Sequence, residues 1–366
     1  MSLKKVKVFL GGYINCPNAQ NVNCDNIAKY LDKDRFEVHT LYMLRPPIDR
    51  NAYKKQGIRL HRNISRQPLS KWLKMFTMWR TNCHIYYLPK REIADRRFSE
   101  LLVNKKRKMF IASIESVLTE EFSRQPERKT YYLENMDASF AISNCIADSV
   151  KQCWNVQMEV LPLGVAKLPY KAEEKQEITR VIWVGNVKAN KRPQYLIEIA
   201  KKFPQLQFTM VGDGDMDGQI RKMISEYGMT NVTLTGRIPN QQVYEKMQES
   251  DLLLMTSEFE GLPKVIQEAA QCGLPSIYMA ENYKVDFLQN GLNGYEAYSL
   301  REMEDKLSYL LDNPEKYRKM SQKATEIIQS YTWEKLIPKY EEYFLRKLEE
   351  KRKKRETRKK GGVGNG

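Results

Sequence analysis

Two glutamates eight positions apart, Glu260 and Glu268, frame the run Ser257-Glu258-Phe259-Glu260-Gly261-Leu262-Pro263-Lys264-Val265-Ile266-Gln267-Glu268-Ala269. A short apolar stretch, 251–255, reads as a buried strand just before them and places Glu260 in a loop at its carboxyl end. Pro263 suits the first turn of a helix, where a missing N–H costs nothing. That helix start offers unpaired backbone N–H groups and the positive end of a helix dipole to an anion. Glu268 falls beyond the first turn, where a carboxylate can accept hydrogen bonds from vicinal hydroxyls. Singly, each acid is as readily a solvated surface residue.

The elements that must hold these groups are clearest in the second half. β-rich runs at 180–184, 207–211, 232–235, 251–255 and 275–278 alternate with amphipathic segments at 193–202, 216–227, 241–249 and 263–272. Alternation at this spacing predicts βαβ units and a parallel sheet covered on both faces. The first half opens alike, with strands at 6–10 and 36–42 and a helix at 23–30 between them; Gly11-Gly12 is read as breaking the first strand. Segment 51–107 is harder to parse and reads as helix-rich, followed by strands at 109–114 and 139–143 and a helix at 146–152. The polar stretch 163–177 separates the two patterns, and 333–360 reads as one long or broken helix.

At 366 residues the chain exceeds the usual reach of one hydrophobic core, and its 42% hydrophobic content excludes general disorder. No run approaches the ~20 apolar residues of a membrane-spanning helix. Lys4-Lys5 leads directly into the first strand, leaving no room for a secretory signal. The six cysteines form no C-x-x-C pair, so reduced thiols are expected and a metal site is not. Of the net charge of +16, +7 falls in 346–360, with ten Lys/Arg against three Glu, and the rest is spread over the body with a dense run at Lys105-Lys106-Arg107-Lys108. Such charge suits an anionic partner, although a solvated tail is an equal reading. The basic tail lacks interleaved aromatics and no nucleic-acid motif occurs.

With these residues in place, the sequence resembles glycosyltransferase family 4. Glu260 and Glu268 reproduce its E-x7-E signature in the E-G-L-P form, and 268–275 is similar to its E-A-x-A-x-G-x-P stretch, with Gln271 in place of the second alanine. Trp183-Val184-Gly185 with Lys191, Val211-Gly212-Asp213-Gly214, Leu234-Thr235-Gly236-Arg237-Ile238 and Gly291-Leu292-Asn293-Gly294 resemble further turns of that family in order. The resemblance is dense from about Val181 to Gly294, and thin before it, through Gly11-Gly12 and Leu161-Pro162-Leu163-Gly164-Val165.

The resemblance implies a retaining, metal-independent transfer of a sugar from a UDP- or GDP-sugar, with no further cofactor. Glu268 would bind ribose hydroxyls, Glu260 with the backbone around Gly261 and Leu262 would hold hydroxyls of the transferred sugar, and the helix start at Pro263 would help to neutralise the diphosphate. Lys191 would neutralise the diphosphate. Gly11 and Gly12 would let the first domain's backbone approach it, while Gly185, Asn186, Gly212, Arg237 and Ile238 would complete the donor site. Asn186 stands where members usually carry an arginine and brings no charge; Lys188, then Arg192, are the candidates to compensate. Many members carry a histidine after the first domain's fourth strand. None of His39, His61 and His84 lies there, and strand 109–114 leads instead to Glu115. Its carboxylate could orient the acceptor or accept its proton, or be a plain loop acid.

The implied architecture is α/β: two Rossmann-like parallel-sheet domains facing across a cleft (GT-B). The expected bounds are 1–165 for acceptor binding, 166–335 for the nucleotide sugar, and 336–366 for a basic helix and disordered tail. Trp72, Met75, Phe76 and Trp79 share a helical face beside Lys71, Lys74 and Arg80, which suits an anionic membrane interface or, equally, a core helix. Trp72, Phe76, Trp79 and Lys105–Lys108 are therefore candidate membrane or acceptor contacts. The expected partners are a glycan or lipid-linked acceptor and an anionic membrane surface, at the inner face of the plasma membrane. The rival readings are a binder that no longer transfers, and a sugar-nucleotide epimerase.

Overall fold

The computed structural model describes residues 5–16, 18–89, 107–168, 172 and 174–361. The chain divides into two compact units, Met1–Gly164 with Trp333–Gly366, and Val165–Thr332. Both are built on a wholly parallel sheet.

In the first unit, β1 (Val6–Tyr13), β2 (Phe36–Met43), β3 (Ile58–Asn63), β4 (Ile85–Tyr87), β5 (Met109–Ile114), β6 (Ala138–Ala141) and β7 (Glu159–Val160) lie in the order β3-β2-β1-β4-β5-β6-β7. Every residue of β5 is buried, as a largely apolar strand between two covered faces must be. The direction of winding reverses between β1 and β4, and at such a switch point a crevice opens at the carboxyl ends of the strands.

Three expectations for this half are corrected. The segment read as helix-rich contains two strands, β3 and β4, around the helix Leu69–Thr81. Strand 109–114 is consequently the fifth, not the fourth. Gly11-Gly12 does not end the first strand: β1 runs through both to Tyr13, with a bulge that shifts its register against β2 after Leu10. A Cβ on Gly11 would sit 2.7 Å from Leu88 Cδ2, and one on Gly12 2.8 Å from Cys24 Sγ. These glycines are required by the strand and helix packed beside them.

The helix Trp333–Gly361 belongs to the first unit rather than to a segment of its own. Tyr340 and Tyr343 meet Phe140 edge-on at 5.7 and 5.4 Å, and their hydroxyls donate to Leu161 O and Ser139 O. Glu341 accepts from Asp32 N and Arg35. Trp333 closes over Gly164 so tightly that a Cβ there would lie 2.7 Å from the indole.

In the second unit, β8 (Arg180–Val184), β9 (Gln207–Val211), β10 (Val232–Gly236), β11 (Leu252–Met255), β12 (Ser276–Met279) and β13 (Gly294–Ala297) take the order β10-β9-β8-β11-β12-β13. The winding again reverses at the first strand, here between β8 and β11. Trp183, Leu252, Leu254, Ile277 and helix residues Leu196, Ile199 and Leu307 form its core. Gly212 is fixed by backbone alone: its φ is +134°, and a Cβ would overlap Gly185 O at 1.8 Å.

Candidate functional site

The switch point of the second sheet selects two loops, the one leaving β8 and the one leaving β11. They are stitched together. Glu258 N donates to Asn190 O (2.9 Å), the Thr256 hydroxyl to Lys191 O (2.7 Å), and Trp183 Nε1 to that same hydroxyl (2.9 Å). The outcome is a direct ion pair between Lys191 and Glu260, residues 69 positions apart, each with its side chain mostly covered. A cation and a carboxylate are thus held side by side at the strand ends. That is the arrangement needed to meet an anionic group on one side and hydroxyls on the other.

Arg192, one residue on, plays a different part from the spare cation suggested by its position. Its backbone is left-handed (φ +46°), an uncommon state for a residue other than glycine. Its guanidinium grips Glu281 at 2.5 Å and Glu258 at 3.3 Å, which fastens the loop after β12 to the loop after β11. Asn282 Nδ2 adds a bond to Glu258 O at 3.3 Å. Lys188 is exposed and stands 4.0 Å from Asp215. Within the clamped loop Tyr283 is buried; its hydroxyl has no hydrogen-bond partner among the described residues. Burial, then the nearby Glu260 charge, hold that phenol well above its ordinary range.

The helix Lys264–Gln271 follows. Pro263 occupies the N-cap rather than the first turn, and no side chain caps this helix start. Glu268 lies on the fifth residue, half-buried, and accepts from the Tyr244 hydroxyl at 3.2 Å. Burial raises its carboxyl above the usual range, against the opposing effects of Lys264 and Tyr244. Gln271, the departure from the family's alanine, pins the chain entering this unit: it accepts from Leu168 N and donates to Ala166 O.

Gly185 N donates to Val211 O, and Gly212 N to Gly236 O, so the turns after β8, β9 and β10 form one bonded rim. Arg237 is committed to Asp213 by two bonds of 2.9 and 2.7 Å, and Ile238 beside it is half-buried. Asn186 is exposed, its carbonyl accepting from Lys188 N. Leu262 and Gly261 are half-buried and Pro263 buried. A cavity of about 570 Å³ in this unit lies at the opposite, amino ends of β8 and β11, lined by residues such as Arg180, Glu249 and Asp251; none of the predicted site residues reaches it.

In the first unit, Glu115 follows β5 and is held from two sides, accepting from Ser113 Oγ (2.8 Å) and Asn23 Nδ2 (3.2 Å). Ser113 in turn meets the Tyr87 hydroxyl at 2.8 Å. Glu115 lines a cavity of about 380 Å³ with Gln20, Gln125, Arg128 and Tyr132. Neither Asn23 nor Tyr132 was singled out from the sequence; no spacing links them to Glu115. The helix Leu69–Thr81 turns Met75 inward, so Met75 does not share the outer face expected of it, whereas Trp72, Phe76 and Trp79 are about half exposed. Arg107 is exposed and Lys108 buried, while Lys105 and Lys106 lie outside the described residues.

The family-model match falls on the second unit. Residues 167–327 match the family model of glycosyl transferases group 1. The alpha-D-kanosaminyltransferase of Streptomyces kanamyceticus is 28% identical over 154 residues, 40% of each chain. The O-antigen biosynthesis glycosyltransferase WbnH of Escherichia coli is 28% identical over 175 residues, 46% of this chain and 48% of that one. The chain thus spans about half the length of the curated relatives it matches. Among solved structures, HepE of Anabaena in complex with UDP superimposes with a TM-score of 0.74 at 17% identity, over 92% of this chain and 99% of that one. The fold is therefore the GT-B fold, and residues 167–327 of this chain are similar to glycosyl transferases group 1.

Proposed function

We propose that this chain is a retaining glycosyltransferase that, without a metal ion, moves a sugar from a nucleotide-diphosphate sugar to a glycan or lipid-linked acceptor. The observation that carries the reading is the pairing of Lys191 with Glu260 at the switch point of the second sheet, beside an uncapped helix start and one turn from Glu268. On this reading Lys191 and the N–H groups at the start of the Lys264–Gln271 helix take up the charge of the leaving diphosphate, which stabilises the transition state. Glu260 turns to the hydroxyls of the transferred sugar and Glu268 to those of the ribose. The acceptor oxygen bonds to the anomeric carbon on the face that the diphosphate leaves, as the bond from that carbon to the diphosphate oxygen breaks and the acceptor's proton passes to the departing oxygen. Glu115, oriented by Asn23 and Ser113, positions the acceptor in its polar cavity. The UDP seen in HepE and the O-antigen assignment of WbnH support a nucleotide-sugar donor and a glycan acceptor.

The test is to incubate the full chain with UDP- and GDP-sugars, with and without EDTA and with glycan and polyprenyl-phosphate-linked acceptors. Released nucleoside diphosphate and the anomeric configuration of product are then read by NMR. The proposal requires turnover that survives EDTA and keeps the donor's configuration. Binding of a nucleotide sugar with no release in any combination would instead identify a binder that does not transfer.

A further inference from the structure

The helix Leu69–Thr81 presents two faces of opposite character. Ser70, Lys74, Met75, Thr77, Met78 and Thr81 are buried, while Leu69, Trp72, Phe76 and Trp79 point outward at 54, 50, 50 and 52% exposure. A globular protein has no folding reason to leave two tryptophans and a phenylalanine in one outward row; such rows mark contact surfaces. The surroundings narrow the contact. Residues 50–89 hold nine Lys/Arg and not one Asp or Glu. Of these, Arg62, Arg66 and Arg80 are exposed and Lys71 half-buried.

The fold then brings a second basic segment to the same region, from some 270 residues away. Lys108, just before β5, donates to Asn82 O, the residue that ends the aromatic helix. Lys351 of the long C-terminal helix donates to Lys108 O and pairs with Asp137, just before β6. The helix continues past Lys351 with Arg352, Lys353 and Lys354 exposed. At the amino ends of β4 and β5, Lys108 therefore ties Lys351 to the end of the aromatic helix. Its other end, at Leu69 and Trp72, lies at the end of the sheet where Glu115 is placed.

We propose that this composite surface docks on an anionic lipid bilayer, with Trp72, Phe76 and Trp79 entering the headgroup boundary and the Arg80 and Arg352–Lys354 clusters facing lipid phosphates. Interfacial seating of Trp beside Arg and Lys is the pattern that bilayers select. Among the described residues no helix is long and apolar enough to cross a membrane, so contact of this kind is peripheral. The inference stands on the first unit alone and does not depend on the donor-site reading.

Flotation of the full chain with phosphatidylglycerol–phosphatidylcholine vesicles tests it. Binding is expected with anionic vesicles at about 0.1 M salt, weakening towards 0.5 M because exposed charges are then screened. The triple variant Trp72→Ser, Phe76→Ser, Trp79→Ser should bind at least about tenfold less while keeping its melting temperature, since the three side chains are outside the core. Tyr309→Ser, an exposed aromatic of the second unit, should bind as the native chain does. Replacing Arg352, Lys353 and Lys354 by Gln should remove most of the preference for anionic over neutral vesicles. Equal binding by the triple variant and the native chain would overturn the proposal. So would lipid-independent self-association in solution that the triple variant abolishes, since the row would then be a protein interface.

Discussion

The two units share one order over six strands, to which the first adds a seventh, and differ in what stands at its turning point. In the second unit the loops leaving β8 and β11 are dense with charge, and Lys191, Arg192, Glu258, Glu260 and Glu281 hold one another in place. In the first, the corresponding strand end carries Gly11 and Gly12, closed in by Leu88 and Cys24, and the carboxylate sits one strand further along, on Glu115. Topology supplies a crevice in both sheets, and the side chains decide what chemistry each can do. A rigid, charged site suits a ligand that is always the same, such as a nucleotide diphosphate. A cavity lined by Gln20, Gln125, Arg128 and Tyr132 suits one recognised by its hydroxyls.

That contrast ranks the expected effects. Lys191→Ala removes the cation proposed to neutralise the leaving group and should lower turnover by about 10²–10³. Glu115→Gln, which keeps the hydrogen-bonding shape, should cost about tenfold, chiefly in acceptor KM. Initial rates at saturating donor separate the two, and a larger loss for Glu115→Gln would reverse the ranking of the two units. The glycines give the next comparison. Gly212→Ala collides with a carbonyl at a positive φ and should destabilise the second unit by more than about 3 kcal/mol. Gly11→Ala meets mainly the flexible end of Leu88 and should cost about 1–2 kcal/mol. Urea unfolding of each variant reads both.

Acid should reveal the first unit, which holds all three histidines. His39 and His61 stack at 5.2 Å, with ring nitrogens 2.9 Å apart on neighbouring strands. Burial first, then the neighbouring His39 and the Arg80 and Arg59 charges, push His61 down to about 4; burial also lowers His39. The unfolded chain therefore takes up protons first as pH falls. Stability contributed by the neutral pair is complete above the ordinary histidine range and is lost on descent towards pH 4. Screened by its partial exposure, this amounts to roughly 1–2 kcal/mol. Melting curves of the native chain and His61→Phe from pH 7.5 to 4.5 should converge as pH drops. The smallest effect is expected at Tyr283→Phe, which removes a buried hydroxyl that has no partner among the described residues and should raise stability by about 1 kcal/mol. A loss of stability would mean that the hydroxyl is bonded after all.

Much of the second unit was legible because its strands are short apolar runs bounded by Gly and Pro. The observed β9, Gln207–Val211, has the bounds read from the sequence, as does β5 in the first unit. What escaped notice lacked that contrast. β3 is an edge strand, IRLHRN, whose half-exposed polar residues show no clean alternation; β4 has only three residues; β13 opens on Gly294 and carries Glu296. Gly11-Gly12 resembled a turn because the close approach of Leu88 and Cys24, which leaves no room for a Cβ, is not revealed by local sequence. The spacing of Trp72, Met75, Phe76 and Trp79 fitted a buried face and an exposed one equally, and only packing placed Met75 on the other side. Glu260 and Glu268 were legible by spacing and resemblance. The Lys191–Glu260 contact and the Arg192 clamp span 66 to 89 residues and appear only in the fold.

The central claim is that the second unit binds a nucleotide diphosphate through Lys191, the helix start at Pro263 and Glu268. Its most direct test is calorimetric titration of UDP and GDP into the full chain and into Glu268→Ala, both in EDTA. The account predicts saturable binding of one nucleotide by the native chain and at least about tenfold weaker binding by the variant, since two charge-assisted hydrogen bonds are lost. Equal affinity in the two proteins, or no binding of either nucleotide by a native chain of normal melting temperature, would contradict it.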